Sequence, residues 1–96
     1  MKKFVVLPVN GYKNILPREE VVSGSEQTAL KKFLQSHQVP FNGINHVTST
    51  TVKNLLFDGW NNQQIEHSVD FIVDTKKNID NGLVIDKKRS NAYKLY

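Results

Sequence analysis

The residues best equipped to do chemistry in this chain are its cations, and they are unevenly placed. The 96 residues carry 13 Lys and Arg against 9 Asp and Glu, a net charge of +4. Positions 1–75 hold both signs in equal number. The excess therefore lies beyond them, in Lys76, Lys77, Lys87, Lys88, Arg89 and Lys94 against Asp80 and Asp86. Cations gathered in one segment attract polyanions more strongly than the same charge spread over a surface. Solvated lysines give the same composition, so the pattern gains meaning only from the elements that carry it. Catalysis finds little support. His37, His46 and His67 lack metal-ligand spacing, and there is neither a nucleophile elbow nor a dinucleotide glycine pattern. With no cysteine, disulfides and thiolate-bound zinc are excluded. The chain is read as a non-enzyme without a cofactor.

The elements that must position these cations can be read in turn. Residues 3–9 (KFVVLPV) form a short strand, and Asn10-Gly11 marks a turn. Ser23 with Glu26 spells a capping box that opens a first helix, with Leu30, Phe33 and Leu34 on its buried face. Val39-Pro40 stops it. Residues 41–47 are a linker with room for a very short strand. Thr48 or Ser49 caps a second helix with Val52, Leu55 and Leu56 inward, and Gly59 suits its left-handed end. Trp60 is expected to pack the corner.

Residues 61–77 fit a third helix, because Ile65, Val69, Ile72 and Val73 make one stripe of a 3.6-residue period. Asn61 and Gln64 are a capping pair, and Lys76 and Lys77 fall in the last turn. The competing signal is Val69, Phe71 and Val73, whose alternation and β-preference suit an edge strand at 68–74. Leu83, Val84 and Ile85 then read as a strand, residues 87–91 as a basic hairpin tip, and 92–96 as the returning strand.

The run Gly82-Leu83-Val84-Ile85, followed by Lys87-Lys88-Arg89-Ser90-Asn91-Ala92-Tyr93-Lys94-Leu95, resembles the helix end and wing of winged helix-turn-helix DNA-binding domains. The resemblance covers roughly 25–96 and is similar to plasmid, phage and bacterial regulators and replication initiators. It implies an α+β domain of three helices and a C-terminal β-hairpin wing, with an N-terminal strand or arm. The expected division is an arm at 1–22, a helical core at 23–77 and a wing at 78–96, all in one domain.

The resemblance also assigns roles. Helix 62–77 would enter the major groove, with Asn62, Gln63, Gln64 and His67 reaching base edges. Lys87, Lys88 and Arg89 would lie along phosphates or in a minor groove, and Ser90, Asn91, Lys94, Lys76 and Lys77 are counted with them as DNA-binding. Thr48, Ser49, Thr50 and Lys53 would hold phosphates from the second helix. The second helix reading bases itself is a lesser possibility.

The function implied is sequence-specific binding of double-stranded DNA, as a transcription or replication regulator in the cytoplasm. A single small module buries only about 600–1,000 Å² on DNA, so a homodimer is expected, with 1–22 as its candidate contact. The alternative is a protein-interaction module that docks on a host replication or transcription enzyme, motivated by the carboxylates Glu66, Asp70 and Asp74. No apolar run reaches the roughly 20 residues of a membrane span.

Overall fold

Residues 4–9 (FVVLPV) contain no polar side chain, and a strand of that kind has to be buried on both faces. In the computed structural model, which describes residues 1–84, 94 and 95, it is. Strand β1 (Lys2–Pro8) lies inside a four-stranded sheet of order β2-β1-β4-β3. The other members are β2 (Glu19–Ser23), β3 (His46–Val47) and β4 (Phe71–Thr75). β1 pairs antiparallel with both β2 and β4, and β3 joins β4 in parallel. The fold is mixed α+β.

Side-chain alternation sorts the core into two layers. Phe4 and Val6 of β1, with Phe71 and Val73 of β4, pack on Ala29, Leu30, Phe33 and Leu34 of α1 (Glu26–Ser36). Val5, Leu7 and Ile72 face the other way, onto Val52 of α2 (Ser49–Phe57), Ile65 of α3 (Asn62–Ser68) and Ile79 of α4 (Lys76–Gly82). One long helix covers one face and three short ones share the other. Strands β5 (Leu83–Val84) and β6 (Lys94–Leu95) form a separate antiparallel pair after α4.

Five sequence expectations change here. The stretch 61–77 is not one helix: α3 stops at Ser68, Val69 turns extended (φ −134°, ψ 156°), and β4 follows. The helical stripe over 65–73 is genuine, but an unbroken Phe71-Ile72-Val73 is worth more between two strands, where both sides of the backbone are buried. Nor is this strand an edge, since β1 and β3 flank it. The block 23–77 is therefore not a purely helical core. Residues 1–22 hold the expected strand, as β1, but it is built into the sheet and is not an arm. They supply a central strand and its outer neighbour, so β1 is closed to a dimer partner and, of these two, β2 alone has an outer edge. Finally, Ser23 ends β2, opposite Lys2, and the cap of α1 moves to Ser25, whose hydroxyl accepts from Thr28 N at 3.2 Å. A strand that runs through Ser23 leaves it no freedom to cap.

Other expectations are met. Thr48 caps α2, and Asn61 and Gln64 close a reciprocal capping box on α3, both bonds at 2.8 Å. The short strand in 41–47 is β3. α1 ends ahead of Val39-Pro40, with Gln38 left-handed at φ 60° and Val39 N–H donating to Leu34 O at 2.9 Å.

Candidate nucleic-acid interface

Two helices in succession, α2 and α3, are joined by the turn 58–61. Gly59 sits there at φ +99°, a conformation that an L side chain resists. Each helix is anchored by one buried apolar residue, Val52 and Ile65. Apart from half-buried Glu66, the rest of α3 is left to solvent: Asn62, Gln63, Gln64, His67 and Ser68 are exposed. The two helices are thus consecutive, joined by a short glycine turn, and the second presents polar side chains.

The carboxylates of 61–77 do not form an acidic face. Glu66 accepts from Lys13 Nζ at 2.5 Å, and Asp70 accepts from Asn45 N at 3.0 Å. Asp74 is only 7% exposed. It accepts from Ser49 Oγ at 2.6 Å and Ser49 N at 3.2 Å, and from Asn78 Nδ2 at 2.9 Å and Thr75 N at 2.7 Å. This one carboxylate ties the starts of α2 and α4 to the end of β4. Burial pushes its carboxyl up, but the hydrogen bonds from Ser49, Asn78 and the backbone outweigh burial and hold it below the ordinary value.

The sequence-selected residues divide accordingly. Asn62, Gln63 and His67 remain free on α3, whereas Gln64 Oε1 is engaged by the Asn61 amide. Thr50 is exposed and Lys53 half-buried near the start of α2. Thr48 Oγ1 is the cap, accepting from Thr51 N at 3.3 Å. Ser49 is 1% exposed and bonded to Asp74, so it is withdrawn from any phosphate. Lys76 and Lys77 open α4 instead of closing the helix that holds Asn62, which puts them at the far end of β4 from α3. Lys94 lies in β6, paired with Val84. Lys87, Lys88, Arg89, Ser90 and Asn91 lie outside the described residues.

At that far end Lys76 and Lys77 meet residues that sequence reasoning left aside. Lys2, Lys3, Thr75, Lys76, Lys77 and Asp80 line a hollow of about 580 Å³. Lys3 Nζ lies 3.6 Å from Glu20, and Lys76 Nζ lies 2.7 Å from Asp80 and 3.7 Å from Glu20. Arg18 reaches Asp80 at 3.8 Å. The hydrogen bond that Lys76 donates to Asp80, followed by the negative charge of Asp80, raises the Lys76 ammonium above its ordinary value. The available signal was the pair Lys2-Lys3 at the start of a strand. The antiparallel partnership Phe4↔Thr75 brings that pair to Lys76 and Lys77, and single-strand reading cannot supply the partnership.

Two large aromatics stand out at the α2–α3 corner: Phe57, 90% exposed, and Trp60, 39% exposed. Trp60 therefore fills the corner only in part. Among the described residues no three of His, Asp and Glu converge to hold a metal ion, and no helix is long and apolar enough to cross a membrane. No family model, no curated protein and no solved structure matches this chain.

Proposed function

We propose that this chain binds double-stranded DNA through the α2–α3 pair, as a regulator of transcription or replication. The observation that carries the reading is α3 itself: a helix fixed by one buried residue, Ile65, and by a capping box, with Asn62, Gln63 and His67 all turned to solvent. Asn and Gln side chains are bidentate partners of adenine in the major groove, and the first residues of a recognition helix are the ones that reach base edges. The engagement of Glu66, Asp70 and Asp74 elsewhere supports the same reading, because none is a free carboxylate facing phosphates. The winged-helix assignment is the finer form of the proposal. It rests on the β5–β6 pair as the root of a wing whose basic tip would follow the backbone, and a homodimer would place two α3 helices in successive half-sites.

The test is a fluorescence-anisotropy titration of duplex DNA, first random and then selected for a preferred site. Binding is expected to weaken steeply with salt, and Gln63→Ala with His67→Ala should level the preference for the selected duplex toward that for random DNA. An unchanged preference in the double variant sinks α3 as the reader.

A second reading has its own observation. Phe57 and Trp60 form an exposed aromatic corner on the same helix pair, and aromatic side chains are enriched in the anchors of protein interfaces. Docking on a replication or transcription enzyme through that corner would depend far less on salt. Phe57→Ala should then abolish partner capture and leave DNA binding unchanged.

A further inference from the structure

The hollow lined by Lys2, Lys3, Thr75, Lys76, Lys77 and Asp80 is not part of the helix pair. We propose that it is a phosphate site, where the DNA backbone is gripped independently of sequence; this deepens the DNA-binding reading and rests on it.

The chemistry of the lining selects the ligand. Four lysines and one carboxylate, Asp80, line the hollow, a surplus of positive charge that disfavours metal cations and favours an anion. The four lysines are not equivalent. Lys3 and Lys76 are held by Glu20 and Asp80, which fixes their positions and offsets part of their charge. Lys2 and Lys77 have no carboxylate partner among the described residues and are free to take one. The Thr75 hydroxyl accepts from Asn78 N at 3.2 Å, and its own proton remains available to a phosphate oxygen. Compact, mobile ammonium groups suit phosphate as point charges.

Position favours nucleic acid over a free anion. α4, which carries Lys76 and Lys77, packs with α2 and α3 on one face of the sheet through Ile79, Val52 and Ile65. Strand β4 runs between α3 and α4, and five strand residues span roughly 17 Å. A duplex carries one negative charge per about 1.7 Å of axis, so a stretch of DNA as long as β4 presents about ten phosphates, enough to serve both sites. The helix pair would supply recognition. The hollow would supply much of the electrostatic affinity, which α3 cannot, having neither Lys nor Arg.

The experiment compares full-length Lys2→Gln/Lys77→Gln with Lys31→Gln/Lys32→Gln. The second pair removes equal charge from exposed positions of α1, on the opposite face. Circular dichroism confirms that both variants fold, and affinity for a random duplex is read across a salt series. Two lost phosphate contacts should make the log–log salt slope of the first variant shallower by about 1.8, while the α1 variant keeps the wild-type slope. Equal loss in both variants would mean a net-charge effect and would overturn the site. An unchanged slope in Lys2→Gln/Lys77→Gln would overturn the site and leave the DNA reading standing. If the wild type binds no duplex at low salt, the DNA reading fails, and calorimetry with tripolyphosphate decides the hollow alone. Binding lost in the Lys2/Lys77 variant would keep it as a phosphate site for a free polyphosphate, and no binding would remove it.

Discussion

The two faces of the sheet are built from different materials. On one, α1 lies across Phe4, Val6, Phe71 and Val73 as a single eleven-residue helix. Its aromatic centre is Phe33 against Phe71, ring centroids 5.7 Å apart and edge-on, with Tyr12 5.0 Å from Phe71 on the other side. On the other face, helices of nine, seven and seven residues divide the same sheet area. Helices this short hold little structure of their own in water, so each is tied down from outside: α3 by Ile65 and its capping box, α2 and α4 by the shared Asp74 carboxylate. The first face stores stability in apolar burial. The second buries as many apolar residues but adds polar ties, leaves the outward surface of α3 open, and carries the residues assigned to read DNA, Asn62, Gln63 and His67. The scaffold helix α1 and the reader helix α3 are separated by one layer of sheet.

The largest effect that could break this division comes from the aromatic centre. Phe71→Ala empties a site between Phe33 and Tyr12 and should cost about 4 kcal/mol, against about 3 kcal/mol for Ile65→Ala beneath α3. Both are large fractions of the roughly 5–15 kcal/mol that holds such a domain folded. Urea denaturation measures them, and an Ile65→Ala loss that exceeds the Phe71→Ala loss would show that the short-helix face is the true stability centre. Among the molecules still folded, Ile65→Ala should weaken DNA binding and Phe71→Ala should not.

The next effect sharpens the contrast through pH. Asp74→Ala deprives the buried Ser49 amide and hydroxyl of their acceptor and should cost about 3 kcal/mol. Because the native Asp74 carboxyl lies below its unfolded value, the folded state binds its proton less readily. Its contribution is complete above about pH 4 and is lost as the pH falls through the lowered native value. Denaturation midpoints from about pH 6 down to about pH 2.5 should therefore fall more steeply for the wild type than for Asp74→Asn. Parallel curves would remove Asp74 as the tie.

What the amino-acid sequence disclosed follows the same division. The helix α1, the caps Thr48 and Asn61, the turn glycine and the short strand β3 are local features, decided within a few residues, and could be read directly. The fate of 69–75 could not. Ile65, Val69, Ile72 and Val73 satisfy a helix, and Val69, Phe71 and Val73 satisfy a strand. What decides between them is whether another strand offers its backbone, and β1 lies more than sixty positions earlier. The same long-range pairing made the candidate site only partly legible. Asn62, Gln63 and His67 needed nothing but a helix start. Withdrawing Ser49 required Asp74 to be a strand residue, and joining Lys2 and Lys3 to Lys76 and Lys77 required the register of β1 on β4.

The smallest effect is the most discriminating, because it compares two glycines of like conformation. Gly59 at φ +99° links α2 to α3, and Gly43 at φ +80° precedes β3. An added Cβ meets no atom within 4 Å at either position, so the cost of alanine is purely conformational, about 1–2 kcal/mol in each case. Equal destabilisation is thus expected for Gly59→Ala and Gly43→Ala. Their consequences for binding should differ. Relieving the strain at Gly59 rotates the turn that aims α3, whereas relieving it at Gly43 shifts a loop that carries no reader. Gly59→Ala should therefore lose affinity for the selected duplex more than for random DNA, with the electrostatic part left intact at the hollow. If the two variants lose selected-site affinity alike, the angle between α2 and α3 is not what positions the reader.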